Sequence, residues 1–91
     1  MMFKYTAANL KKLETLLHDA GYIIRYEKGN FIAGYCILET RKVIVINKYF
    51  ELDARINNLL EITSRLSIDE NNLSEASRTF MQQYHLQTAP V

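Results

Sequence analysis

Cysteine, proline, glycine, tryptophan and histidine are all scarce here, and each scarcity closes off a class of protein. One cysteine, Cys36, leaves no internal disulfide, so the fold rests on its core and a reducing compartment is expected. One proline and three glycines leave no flexible or proline-rich linker between units. Gly29 and Gly34 belong to no G-x-x-x-x-G-K pattern and precede no helix, which excludes a phosphate loop. Gly34, in mid-strand, points to a bulge or a close backbone approach. The two histidines, His18 and His85, lie far apart, and neither has a second His or Cys at ligand spacing. A structural or surface role is the expectation for both, and no cofactor is implied.

An excess of one charge is missing too. Eleven Lys and Arg stand against ten Asp and Glu, interspersed, for a net charge of +1. That balance gives no field to gather nucleic acid or an anionic membrane, so neither is expected as a partner. The longest aliphatic run, Val43 to Ile46, is far short of the ~20 residues that span a bilayer. Met1 to Leu10 has no apolar stretch of signal-peptide length, so a cytoplasmic location is expected.

What is present suits one small α+β domain. Residues 1–86 are expected to form it, with 87–91 a flexible C-terminal tail. A chain this short buries roughly 60–65% of its unfolded surface, enough to fold alone with little margin. Thr6 can cap a first helix, Ala7 to Ala20, whose apolar stripe is Leu10, Leu13, Leu16, Leu17 and Ala20. Gly21 suits the left-handed residue that ends it. Tyr22 to Glu27 alternates as a strand, Lys28-Gly29 makes a turn, and Phe31 to Leu38 and Val43 to Ile46 follow as strands. Short polar turns between them predict a three-stranded antiparallel meander. A second helix runs from Leu52 to Leu66 on Leu52, Ile56, Leu59, Leu60, Thr63 and Leu66. A third opens at Ser74 and reaches Tyr84 on a thinner stripe. Helices 1 and 2 are expected on one sheet face.

Strands 2 and 3 are apolar on both sides, so the second face needs a cover: helix 3 or another copy of the chain. The open sheet edges also invite a partner strand. A homodimer is therefore expected. Tyr22, Tyr26, Phe31 and Tyr35 crowd the first two strands. They form an interaction surface, a base-stacking platform or ordinary sheet core, and the missing basic patch weighs against the second.

The strand Ile44-Val45-Ile46-Asn47 and the helix segment Leu60-Glu61-Ile62-Thr63-Ser64 resemble the zincin-like metallopeptidases of the ImmA/IrrE type. In that family a strand of pattern I-x-I-N leads into a helix bearing H-E-x-x-H. Two imidazoles four residues apart share a helix face and grip one zinc, and the Glu between them takes a proton from metal-bound water. Glu61 matches that Glu, while Leu60 and Ser64 stand at the ligand positions. The resemblance thus implies a related frame without the metal site, and no catalytic or metal-binding residues. The chain is also similar to a group of short bacterial proteins sharing the YEKGNF-x-x-GYC-x-L and VIVINK stretches, which implies no activity.

Cys36, between Tyr35 and Ile37, reads as a small apolar residue, and no His completes a triad with Ser64 or Ser67. The leading expectation is a homodimeric, non-catalytic interaction or regulatory module. The alternative is a hydrolase or divalent-metal enzyme using Glu61 with Asp69, Glu70 or Glu75, since carboxylates alone can hold Mg²⁺ or Ca²⁺. A small antitoxin-like partner is a third reading.

Overall fold

A computed structural model describes residues 2–28, 35–38 and 41–90, with the backbone alone at 35–38. The chain is α+β with three helices. In order come α1 (Ala7–Asp19), β1 (Ile23–Glu27), β2 (Tyr35–Leu38), β3 (Val43–Asn47), α2 (Leu52–Arg65) and α3 (Glu75–Gln83). A single 3-10 turn, Glu70–Asn72, precedes α3.

The sheet corrects the expected meander. Its order is β1-β3-β2, so the last strand lies between the first two. β1 runs parallel to β3, pairing Ile24 with Ile44 and Tyr26 with Ile46. β2 runs antiparallel to it, pairing Ile37 with Ile44. Backbone bonds from Ile23 N–H to the Lys42 carbonyl (2.8 Å) and from Lys48 N–H to the Glu27 carbonyl (3.1 Å) extend the parallel ladder. The physical reason lies in β3 itself. A middle strand is buried on both faces, and Val43 to Ile46 is the run that tolerates this. Ile44 and Ile46 are fully buried and Val45 is 7% exposed. β1 carries Arg25 and Glu27, which an edge strand can leave in water. The Lys28-Gly29 turn, Phe31 and Gly34 involve positions outside the described residues.

One core joins the sheet to all three helices. Leu13, Leu16 and Leu17 of α1 and Ile56, Leu59 and Ile62 of α2 meet Ile44 and Ile46, and Phe80 and Met81 of α3 close the same cluster. α3 therefore packs within its own chain, against α1. No helix among the described residues is long and apolar enough to cross a membrane.

The helix ends are well specified. The Thr6 side chain accepts from Asn9 N–H at 3.1 Å and caps α1. α1 and α3 then end in the same way. Gly21 N–H and Tyr22 N–H donate to the His18 and Leu17 carbonyls (2.9 and 3.0 Å), with Gly21 at φ +97°. His85 N–H and Leu86 N–H donate to the Gln82 and Met81 carbonyls (3.2 and 3.0 Å), with His85 at φ 51°. Both are Schellman endings, which turn the chain through a left-handed residue while satisfying the last carbonyls. Beyond α3 the chain returns to α2: Ala89 N–H donates to the Leu66 carbonyl (2.9 Å), and the Ser67 hydroxyl to the Pro90 carbonyl (2.7 Å).

Candidate interaction surfaces

Tyr22 and Tyr26 stand on the same sheet face as Ile24, half-buried against the core beneath the helices. Lys42 Nζ lies over the Tyr22 ring, 5.7 Å from its centroid. The Tyr26 hydroxyl donates to Glu14 Oε2 of α1, and the Arg55 guanidinium of α2 sits 4.9 Å from its ring centroid. Burial, then the bond to Glu14 and that carboxylate's charge, push the Tyr26 hydroxyl well above the usual tyrosine range; Arg55 opposes this. Arg55 also donates to the carbonyls of Phe50 (2.6 Å) and Lys48 (2.7 Å), pinning the corner between β3 and α2. Tyr26 is thus the joint between α1, β1 and α2. Phe31 and the side chain of Tyr35 lie outside the described residues, as does that of Cys36.

Glu61 is half-exposed on α2 and pairs with Arg65 at 2.9 Å, one helical turn on. Such a pair stabilises a helix by a few tenths of a kcal/mol, about 0.3–0.5. Of the residues flanking Glu61, Leu60 packs against the core, and the exposed Ser64 donates to the Glu61 carbonyl (2.6 Å). Asp69 serves locally, accepting from Asn71 N–H at 3.0 Å to start the 3-10 turn. The structure does not gather Glu61, Asp69, Glu70 and Glu75 into one site: no group of three or more acidic, His or Cys side chains among the described residues is placed to hold a metal ion. His18 and His85 are both exposed.

The acidic group with the most convergent hydrogen bonds is Asp19. Its Oδ2 accepts from the Ser74 hydroxyl (2.7 Å), the buried Ser77 hydroxyl (2.7 Å) and Ser74 N–H (3.1 Å). The Ser74 hydroxyl, then the Ser77 hydroxyl, hold this carboxyl below the usual range, against a smaller push from burial. Ser74 also caps α3, accepting from Ser77 N–H. A carboxylate at a helix start is favoured by the helix dipole. This knot fastens the end of α1 to the start of α3.

Three surfaces stand out among the described residues, and of these the sequence pointed only to the open strand edge. The first is the free edge of β1, which pairs with no strand on its outer side among the described residues. Ile23 on that edge is 55% exposed, and beside it a shallow hollow runs between β1 and Lys11, Glu14, Thr15 and His18 of α1. The second is a groove of about 530 Å³ between α1 and α3. The third is an aromatic cluster that includes Phe80, which also lines the groove. Phe3, Phe80 and Tyr84 meet edge to face at centroid distances of 4.9–5.8 Å. The sequence did carry the groove's signal, because Ala8, Lys11, Lys12 and Thr15 repeat at helical spacing, as do Ala76, Thr79, Phe80 and Gln83. Read singly, the first set looks like the wet side of a helix. Compared with protein-family models, with curated proteins and with solved structures, the chain matches none of them.

Proposed function

We propose that the chain is a non-catalytic interaction module that pairs with a second copy of itself through the open edge of β1. The frame, on this reading, is kin to zincin-like domains and carries no metal. The observation that carries the proposal is Ile23, a large aliphatic side chain 55% exposed on a strand whose outer edge has no partner among the described residues. An edge strand presents N–H and C=O groups with no partner, and a second β1 running antiparallel across a two-fold axis would supply them. Ile23 of each copy would then leave water against the other. The zincin kinship is supported by the passage of β3, Ile44-Val45-Ile46-Asn47, into α2 with Glu61.

Sedimentation equilibrium at micromolar concentration tests this. The wild-type chain is expected to sediment at twice its mass of 10.6 kDa. Ile23→Glu is expected to sediment as a monomer with unchanged helix content, because the substituted position is on the surface. A wild-type monomer throughout that range overturns the proposal.

A further inference from the structure

The groove between α1 and α3 has walls built from two matching ridges. Ala8, Lys11, Lys12 and Thr15 line one side at i, i+3, i+4 and i+7; Ala76, Thr79, Phe80 and Gln83 line the other at the same spacing. Two helical turns on each side make a channel roughly 10 Å long. By area its lining is mostly apolar, and because α1 and α3 run antiparallel, with Asp19 bonded to Ser74 and Ser77, one alanine lowers the wall towards each end. Phe80 sits at the base, 4% exposed, with Lys12 Nζ 5.8 Å from its ring centroid.

The charge on this groove has one sign. Its lining holds two lysines and no carboxylate. Neither lysine makes an ion pair with a described residue. The acids of α1 lie outside the lining and turn to other partners: Glu14 accepts from Tyr26, and Asp19 from Ser74 and Ser77. We propose that the groove receives an amphipathic helix from a protein partner, its apolar stripe seated between the two ridges and its flanking carboxylates on Lys11 and Lys12. An apolar stripe at i, i+3, i+4 and i+7 fits a channel whose own walls have that period. Carboxylates along its flanks are the complement of the two lysines. An open trough, rather than an enclosed tunnel, suits a helix better than a fatty acyl chain.

This surface is separable from the β1 edge. Lys11 and Thr15 border both, but Lys12, Ala76 and Thr79 border the groove alone. The test therefore uses the groove-only positions. A stapled helical peptide of about 14 residues, with leucines at the four stripe positions and glutamates on both flanks, is titrated into ¹⁵N-labelled full chain. Amide shifts are expected at Lys12, Ala76 and Thr79, with Ile23 and the dimer mass unchanged. The same peptide with lysines for glutamates is expected to bind about tenfold more weakly, as is the acidic peptide to Lys12→Glu. Ala76→Trp, which fills the channel at an exposed position, is expected to abolish the shifts while the spectrum stays dispersed. Lys12→Gln, a milder change, is expected to fall between wild type and Lys12→Glu. Equal binding of both peptides, shifts that map elsewhere, no shifts at all, or displacement of the acidic peptide by dodecanoate overturns the proposal.

Discussion

Ile23 and Ile24 are neighbours of identical chemistry on β1, and the fold treats them oppositely. Ile24 faces α1 and α2, registered against fully buried Ile44, and packs on the core. Ile23 is 55% exposed. The middle strand blurs that contrast: Val45, although absent from the helix-covered cluster, is only 7% exposed, flanked in register by Arg25 and Cys36. Position across the sheet matters as much as which face a residue takes. Among the described residues, an edge residue such as Ile23 has a strand on one side only, at Val43 of β3, and more than half of it stays in water. That is the place where a second chain has most to offer.

The largest way to break this comparison is to hollow out the inner face. Ile44→Ala leaves a cavity where the two central layers meet and is expected to cost about 3 kcal/mol, read as a shift in the urea midpoint. Against a total stability of roughly 5–15 kcal/mol for a domain of this kind, that is a large fraction. Ile23→Ala, measured under dissociating conditions, is expected to change the midpoint by less than about 0.5 kcal/mol. Similar losses at both positions would mean that the monomer itself uses Ile23.

A smaller effect comes from Asp19. Its carboxyl is held below the usual range in the folded chain, so its contribution is fully present above the unfolded carboxyl pKa of about 4 and is lost as pH falls through the lower folded value. Asp19→Asn is expected to cost about 1 kcal/mol at neutral pH, through the lost charge-assisted bonds and helix-start charge. The difference from wild type is expected to shrink in acid unfolding below about pH 4. A difference constant down to pH 2 would assign the loss to packing.

The smallest effect uses the two matching helix ends. α1 ends through Gly21 and α3 through His85, both with positive φ. A left-handed residue with a side chain costs about 1 kcal/mol or a little more, and glycine removes that cost. His85→Gly is expected to raise the thermal midpoint by a gain of about 1 kcal/mol. Gly21→His is expected to lower it, since the backbone there sits at φ +97°, which a residue with a side chain rarely adopts. No gain at position 85 would show that the imidazole makes a contact worth as much as the strain.

The helices were legible because each carries its own period and its own stops. Thr6, Gly21 and Ser74 mark boundaries that side chains and φ angles confirm. Ile62 was missed in the α2 stripe, although it is fully buried, because that helix buries a wider face than one row of leucines suggests. The strand order was not legible from turn lengths, which favour neighbours in sequence. Composition narrowed the choice only in part: β2 and β3 are both apolar on both faces, and only β3 has neighbours on both edges, while β1, with Arg25 and Glu27, is an edge strand. Glu61 was located by a resemblance, and its salt bridge to Arg65 is the i,i+4 relation already present in the sequence. The α1–α3 groove was hidden because its walls come from two helices far apart in the chain, Ala7–Asp19 and Glu75–Gln83, and neither wall is a motif alone.

The association of two copies through β1 is tested most directly by isotope-filtered NOE spectroscopy on a mixture of ¹³C-labelled and unlabelled chain. Contacts from the Ile23 methyls of one copy to β1 protons of the other are predicted. Intermolecular contacts that map to the α1–α3 groove, or none at all at concentrations where the chain is abundant, would contradict it.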